Sequence, residues 1–307
     1  MNRATSSVSA IPSAPSASQA RATEAATANL ARLRALLEGM GSVLVCYSGG
    51  IDSALVLAVA HDALGANAIG MTAVSPSLAP FERDEAIAFA RQVGARHELV
   101  ESQEIDDPSY AANHTDRCFH CKSELYRVSA AKQREWGSAV VVNGTNLDDL
   151  GDYRPGLEAA KQAGVRSPFV ELGLAKSDVR AMAAALDLSI WDKPAAACLS
   201  SRIPYGTAVT RDRLVQIGSF EAELHRAGLR QVRVRWHELA GDGANTRAGA
   251  IARVEVAQDE LGKAFEIRQA IIAAGKRVGF TYVTLDLEGY RTGSHNEVLA
   301  RRLPIVG

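Results

Sequence analysis

One hexapeptide narrows the possible folds more than any other stretch of the chain: Ser48-Gly49-Gly50-Ile51-Asp52-Ser53. It is preceded by Ser42-Val43-Leu44-Val45-Cys46-Tyr47 and followed by Ala54-Leu55-Val56-Leu57-Ala58-Val59-Ala60. The first flank is short and β-branched, which predicts a buried parallel strand. The second is longer and Ala/Leu-rich, which predicts a helix. The paired glycines let the backbone turn tightly between the two and aim its amides into a common concavity. At a helix N-terminus such a concavity binds phosphate through unpaired N–H groups and the positive end of the helix dipole.

The pattern SGGxDS resembles the PP-loop of ATP pyrophosphatases. It lacks the Gly-Lys-Ser/Thr of a Walker A loop. Over Ser48-Gly49-Gly50 alone a serine-capped turn without ligand is an equal reading; Asp52 and Ser53, at the family spacing, weigh against it. The resemblance implies ATP cut between its α- and β-phosphates, an adenylated acceptor and departing pyrophosphate. The Gly49 and Gly50 amides and the Ser48 and Ser53 hydroxyls would neutralise that pyrophosphate. Asp52 cannot attract phosphate, so its expected work is to cap the helix or hold Mg²⁺.

The rest of the chain supports an α/β class. Periodicity predicts a helix from near Ala25 to Gly41, and strands at 68–74, 96–100 and 139–142 alternate with a helix carrying apolar Ala86, Ile87, Phe89, Ala90 and Val93 up to Gly94 and another at 122–136. That alternation predicts a doubly wound parallel sheet, with ligands outside the carboxyl ends of its strands. The loops leaving Ser48, Ser75, Glu101 and Asn143 are expected to converge there. Beyond Pro204-Tyr205-Gly206 the texture changes. A helix at 211–227, alternating strands at 231–236 and 250–256, a helix at 258–274 and a strand at 278–285 predict a smaller C-terminal α+β domain with a partly solvated sheet. The expected division is a disordered tail at 1–22, a nucleotide domain at 23–205 and a substrate or sulfur-transfer domain at 206–307. The tail is Ala/Ser/Pro-rich and has no continuous apolar segment of the kind a secretory signal needs. A length of 307 residues suits two domains, and a net charge of −1 sets up no field for nucleic acid or acidic membrane. No apolar run is long enough to span a bilayer. The expected location is cytoplasmic.

Four cysteines in a chain this long do not make a disulfide framework. Cys118 and Cys121 form a CxxC directly before a predicted helix, and Cys198 stands in a second polar loop. Three thiolates could hold three irons of a 4Fe–4S cluster and leave the fourth open. Zinc is the rival, with His120 as fourth ligand, although His120 lies awkwardly inside the CxxC spacer. In the plainest reading the pair is incidental and Cys198 is a small core residue. Cys46, inside the first strand, is expected in the core.

Six longer segments carry a more specific resemblance: SGGIDS, TAVSPSL, RCFHCKSELY, NGTNLDDLGDYRPG, VRSPFVELGLAKSDVR and WDKPAAACLSSRIPYG, with ARVEV in the second domain. Together these are similar to the LarE family of ATP-dependent sacrificial sulfur transferases, which have an adenine nucleotide alpha hydrolase-like fold. The resemblance implies adenylation of a carboxylate of pyridinium-3,5-biscarboxylic acid mononucleotide and its conversion to a thiocarboxylate, a step toward the nickel-pincer nucleotide cofactor of lactate racemase. Some members of the family give up the sulfur of their own cysteine and leave dehydroalanine; others carry three cysteines and an iron–sulfur cluster. Cys198 matches the sulfur-bearing cysteine, and Cys118 and Cys121 match the additional pair. The implied cofactors are ATP, Mg²⁺ and a 4Fe–4S cluster; the implied partners are the pyridinium mononucleotide, a sulfide source and further copies of the chain.

Lys122 and Arg202 are candidate contacts to phosphate or adenylate, against an ordinary exposed charge and a salt-bridged arginine. Gly144, in Asn143-Gly144-Thr145-Asn146, is expected over the adenylate. Asp148, Asp149 and Asp152 either supply a Mg²⁺ ligand, Asp152 being the choice, or cap the next turn. Arg154 is a further basic group there. Arg233 and Arg235 share a strand face by the two-residue period. The family implies that they hold the substrate phosphate, with Glu255 on the neighbouring strand as a metal ligand; alternation alone would equally predict a solvated, salt-bridged face. The segment 236–247 is longer than the family leads one to expect. Competing functions are a PP-loop tRNA thiolase, disfavoured by the absence of excess basic charge, and an NAD- or GMP-synthetase-like amidotransferase, which would not need the cysteine trio. A non-enzymatic nucleotide-binding module is disfavoured by the intact loop.

Overall fold

The computed structural model describes residues 17–151, 155–193, 197–239 and 249–291. Its first part runs α1 (Ala17–Glu38), β1 (Val43–Cys46), α2 (Ile51–Leu64), β2 (Ala68–Val74), α3 (Pro80–Gln92) and β3 (Arg96–Glu101). It continues with α4 (Pro108–Ala111), α5 (Arg117–Trp136), β4 (Val140–Val142), α6 (Pro155–Gln162), α7 (Pro168–Glu171) and α8 (Lys176–Ala185). The strands form a wholly parallel sheet in the order β3-β2-β1-β4, with Val43 opposite both Ala68 and Val140. The order reverses beside β1, so the loop after Cys46 opens at the switch point where such sheets bind ligands.

Both sheet faces are covered, as a doubly wound fold requires. On one face α2 is buried nearly all round from Ile51 to Ala60, beneath α1 and α8, with Leu33, Leu37, Leu55 and Met182 in that core. On the other, α5 and α6 cover Leu44, Ile69, Met71 and Val141.

The second part runs α9 (Arg211–Arg226), β5 (Val232–Leu239), β6 (Gly249–Val256), α10 (Leu261–Glu266), α11 (Arg268–Arg277) and β7 (Tyr282–Leu285). Its sheet is β5-β6-β7, antiparallel then parallel. The fold is therefore α/β with a smaller C-terminal α+β part. The core beneath α9 contains Phe220, Val232, Val234, Ala252 and Phe280, and it also takes Ile105, Tyr110, Leu199 and Ile203 from the first part of the chain. Among the described residues no helix is long and apolar enough to cross a membrane.

Several local expectations are corrected. Helix α1 begins at Ala17, not near Ala25. Its extra turns are Ala-rich, so propensity extends the helix past the apolar periodicity and into the expected tail. Residues 1–16 lie outside the described residues. Cys118 and Cys121 are inside α5 rather than before it. The helix expected at 258–274 is broken at Ile267, and β7 starts at Tyr282 because Val278, Gly279 and Phe280 close α11 instead. The β5 strand was expected half-solvated, yet Val232 to Trp236 are all buried. Arg235 can be buried because Glu255 meets its guanidinium, and Arg233 lies over the Tyr290 ring and donates to the Val232 carbonyl.

Candidate active site

A cavity of about 370 Å³ opens at the carboxyl ends of β1, β2 and β3. Ser48 and Gly50 line it from the loop after β1, Ser75 and Ser77 from the loop after β2, and Ser102 and Glu104 from the loop after β3. Helix α5 contributes Arg117, Cys118, Cys121 and Lys122, and Cys198 closes one side. Three of the four expected loops thus converge on this cavity. The Asn143 loop packs instead against the start of α2.

Within the nucleotide loop, Ser53 is 5% exposed. Its hydroxyl accepts from the Ser48 N–H at 3.1 Å, donates to the Gly50 carbonyl at 3.1 Å and lies 3.1 Å from the Ser48 hydroxyl. Gly49 has φ +77°, and a Cβ there would stand 2.8 Å from Ala86 Cβ, so only glycine suits the turn. Gly50 is the N-cap of α2 and no side chain caps the helix, which leaves its first amides available to an anion. Asp52 therefore does not cap. It accepts from Asn146 Nδ2 at 3.1 Å and pairs with Lys176 Nζ at 2.5 Å. Lys176 opens α8, and its backbone N–H is held by Asp148 at 2.9 Å.

Asp149 does the turn work that its residue type predicts, accepting from the Asn146 N–H at 3.0 Å, whereas the Asp148 side chain serves the start of α8. Asp152 and Arg154 lie outside the described residues. A Cβ on Gly144 would fall 2.6 Å from Ser53 N and 2.8 Å from the Asp52 carbonyl carbon. Gly144→Ala is expected to cost about 1–3 kcal/mol as overpacking displaces this backbone. A urea titration reads the loss, and an unchanged midpoint would show that the two loops separate easily.

The cavity wall is strongly polarised. Arg117 is 3% exposed and donates to Asn113 Oδ1 at 2.5 Å and to the Ser200 carbonyl at 2.9 Å. Burial disfavours its charge, but Cys198, Cys118, Tyr110 and Tyr205 around it more than compensate. Lys122 is held up in the same way, by Tyr126 and by the Cys121, Cys46 and Cys118 sulfurs, against the effect of burial. Burial pushes the Cys121 thiol up to about 12; Lys122 works against this, and Cys198, Glu104 and Cys118 add to it. That holds the Cys121 thiol in its neutral form at neutral pH, so iodoacetamide is expected to modify the exposed Cys118 and Cys198 first. Peptide mapping after timed alkylation checks the order, and Cys121 labelled first would refute it. Glu104 is 3% exposed and accepts from Ser75, from Ser77 at 2.7 Å and from Ser102 at 2.6 Å. Cys46 is a core residue, bonded to the Ser129 hydroxyl at 3.4 Å.

His120 does not face the cysteines. It lies 3.4 Å from Asp107 and 3.6 Å from Asp116, in a separate hollow on the outer side of α5. This removes the argument for zinc with His120 as fourth ligand. Among the described residues, no three Cys, His, Asp or Glu side chains stand close enough together to hold a metal ion. The donor chemistry of the cavity nevertheless suits an iron–sulfur group: three thiols face one space, beside two cations.

Arg202 is 3% exposed and grips Glu221 through Nε at 2.9 Å and Nη2 at 3.0 Å. Its Nη1 donates to the carbonyls of Ala197 at 2.5 Å and Cys198 at 3.0 Å. Arg202 thus holds the backbone of the cysteine segment. Arg235 makes a two-pronged pair with Glu255 at 3.0 and 2.9 Å, and reaches the Ser201 carbonyl at 3.0 Å. Arg253 also meets Glu255, at 3.0 Å. Glu255, only 1% exposed, is therefore engaged by two guanidiniums. Arg233 lies over the Tyr290 ring at 5.2 Å, and burial and the nearby Arg202 both lower its pKa. It lines a second cavity of about 570 Å³ between the two parts of the chain, with Arg202, Glu221, Glu82 and Lys193.

Sequence reasoning passed over Arg117, Lys176, Lys193, Glu104 and Glu221. The first three lie inside segments that carry the family resemblance, which was the available signal. Nothing in the local sequence distinguishes the other two from surface acids.

No protein-family model matches the chain. It is similar to an uncharacterized protein of Synechocystis sp., 42% identical over 276 residues, which span 89% of this chain and 99% of that protein. It is also similar to the pyridinium-3,5-bisthiocarboxylic acid mononucleotide synthase of Lactiplantibacillus plantarum, 36% identical over 272 residues, 88% of this chain and 95% of the synthase. An uncharacterized protein of Methanocaldococcus jannaschii is 28% identical over 250 residues, 81% of this chain and 91% of that protein.

Proposed function

This chain belongs to the PP-loop ATP pyrophosphatase family that includes pyridinium-3,5-bisthiocarboxylic acid mononucleotide synthase, and from that premise we propose how it transfers sulfur. In general terms the activity is an ATP-dependent sulfur transfer. In particular, the enzyme adenylates a carboxylate of pyridinium-3,5-biscarboxylic acid mononucleotide and replaces the adenylate with sulfur. The product is the thiocarboxylate on the way to the nickel-pincer nucleotide. The observation that carries this reading is the meeting of the nucleotide loop and three cysteines around one cavity of about 370 Å³.

Each step has residues to serve it. Carboxylate oxygen is a poor leaving group, and adenylation turns it into AMP. The amides at Gly49 and Gly50, with Ser48 and Ser53, receive the departing pyrophosphate. Asp52, next to Lys176, is the carboxylate that would hold Mg²⁺ with the ATP phosphates. Lys122 lines the cavity wall, and in this reading it steadies the adenylate. Arg233 receives the substrate phosphate, which would relieve its repulsion with Arg202. Arg235 and Glu255 then act by holding that strand face in place, and Arg202 by fixing the Cys198 segment.

Cys118, Cys121 and Cys198 would hold the 4Fe–4S cluster. When bound, that group supplies an open iron able to carry a transferable sulfide. A sulfide source, a cytoplasmic location and a homo-oligomeric state belong to the same proposal. The protein is purified without oxygen and supplied with ATP, substrate and sulfide. Iron and acid-labile sulfide in the protein, several turnovers, and loss of both sulfur transfer and iron in each single Cys→Ala are expected, with pyrophosphate release retained. Dehydroalanine at position 198 after one turnover, with Cys118→Ala fully active, would replace the cluster with sacrifice of Cys198. Pyrophosphate release dependent on tRNA rather than on the pyridinium compound would overturn the substrate.

A further inference from the structure

The Gly49 carbonyl is not free to turn. Lys193 Nζ donates to it at 3.0 Å, and the same ammonium meets Glu82 at 2.9 Å and Glu85 at 2.8 Å. The Lys193 side chain is 12% exposed. Burial works against its charge, and the two glutamates outweigh that effect. Both glutamates come from α3, the helix whose Ala86 Cβ blocks any side chain at Gly49. Three separate pieces of chain are therefore joined at one buried ammonium: the nucleotide loop, α3, and the segment that leads to Cys198.

The peptide linking Gly49 and Gly50 is trans, like every peptide among the described residues. In a trans peptide the C=O and N–H point in opposite directions. Lys193 lines the larger cavity between the two parts of the chain and Gly50 lines the thiol cavity. With the Gly49 carbonyl drawn toward Lys193, the Gly50 N–H faces the other way, toward Ser48 Oγ at 3.4 Å, and Gly50 and Ser48 both line the thiol cavity. With glycine on both sides, this peptide has little intrinsic preference between its two orientations. The opposite orientation would present a carbonyl oxygen to the phosphates.

We propose that Lys193 is a positioning residue which sets the Gly49–Gly50 peptide with its N–H toward the departing pyrophosphate. It ties that setting to α3 through Glu82 and Glu85, so the phosphate cradle is ordered together with that helix. The inference rests on the ATP pyrophosphatase reading above.

Lys193→Met would leave one solvent-excluded oxygen on each of Glu82 and Glu85 without its cation, which could cost the fold. The decisive variant is therefore Lys193→Met combined with Glu82→Gln and Glu85→Gln, which removes both charges as well. Substrate-dependent pyrophosphate release gives kcat and KM, and calorimetry with inorganic pyrophosphate gives its affinity. The triple variant is expected to melt near the wild type. Its kcat should fall at least tenfold and its pyrophosphate affinity about tenfold, with KM for the carboxylate substrate unchanged. Lys193→Arg, which keeps a donor for the Gly49 carbonyl, should recover most of both. A triple variant within twofold of wild type in kcat and pyrophosphate affinity would reduce Lys193 to a counter-ion and overturn the inference. A wild-type protein that releases no pyrophosphate would overturn the functional reading and this inference together.

Discussion

Ser53→Ala is expected to lower pyrophosphate release by about 10²–10³-fold, the scale for loss of a preorganised donor beside developing negative charge. The hydroxyl spans the nucleotide loop, contacting Ser48 N–H, Ser48 Oγ and the Gly50 carbonyl. Its removal frees the Ser48 N–H and the Gly50 carbonyl and so slackens the cradle that preorganises the loop donors. The fold should survive, since α2 remains buried against the sheet through Ala54 to Ala60. Stopped assays of pyrophosphate, with a thermal melt as control, measure the effect. A loss of less than tenfold in a folded variant would mean that this loop does not grip the leaving group.

Glu221→Ala is expected to cost about 3–5 kcal/mol, because it leaves the Arg202 guanidinium buried without its carboxylate. That is a large part of the roughly 5–15 kcal/mol that keeps a domain folded. The lost contacts are two bonds from Arg202, at 2.9 and 3.0 Å, and one from the Val234 N–H at 2.8 Å. A urea midpoint reads the cost directly. Glu221→Leu with Arg202→Leu should regain much of the stability while still freeing the Ala197 and Cys198 carbonyls that Arg202 holds. Burial raises the Glu221 pKa, but the Arg202 charge and hydrogen bond outweigh it and hold the folded-state pKa below the ordinary 4.5. A carboxyl depressed in the folded state stabilises above its unfolded pKa and loses that contribution as pH falls through the folded one. The contribution of Glu221 is therefore complete at neutral pH and declines below about pH 4.5. The Glu221→Ala protein should lose this part of the acid dependence; a slope equal to the wild type would assign it to other carboxylates.

The framework was legible because the relevant signals are local. Ala68-Ile69-Gly70-Met71-Thr72-Ala73-Val74 reads as a strand and is one, with the same ends. The glycine pair between an apolar strand and an apolar helix marks a tight turn, and Gly49 takes φ +77° there. What could not be read was the burial of charge. Arg233 and Arg235 alternate with valines, and alternation looks identical whether the polar face meets water or a layer of carboxylates. Glu221 looks like any acid on an amphipathic helix until its partner arrives from nineteen residues away. Cys118 and Cys121 were placed ahead of α5 because Arg-Cys-Phe-His-Cys contains few strong helix formers; the contact of α5 with α4 and the loop before it overrides that preference. Lys176 and Lys193 are single charges whose partners, Asp52 and Gly49, are distant in sequence.

The apolar core beneath α9 takes Ile105, Tyr110, Leu199 and Ile203 from the first part of the chain. The two parts therefore do not come apart cleanly. A fragment ending before α9 would keep the Leu199 bond to the Ser77 carbonyl and the Arg117 and Tyr110 contacts to Ser200, but it would leave these four apolar side chains uncovered. Made alone, such a piece would carry its thiols beside a sticky face and would tend to aggregate.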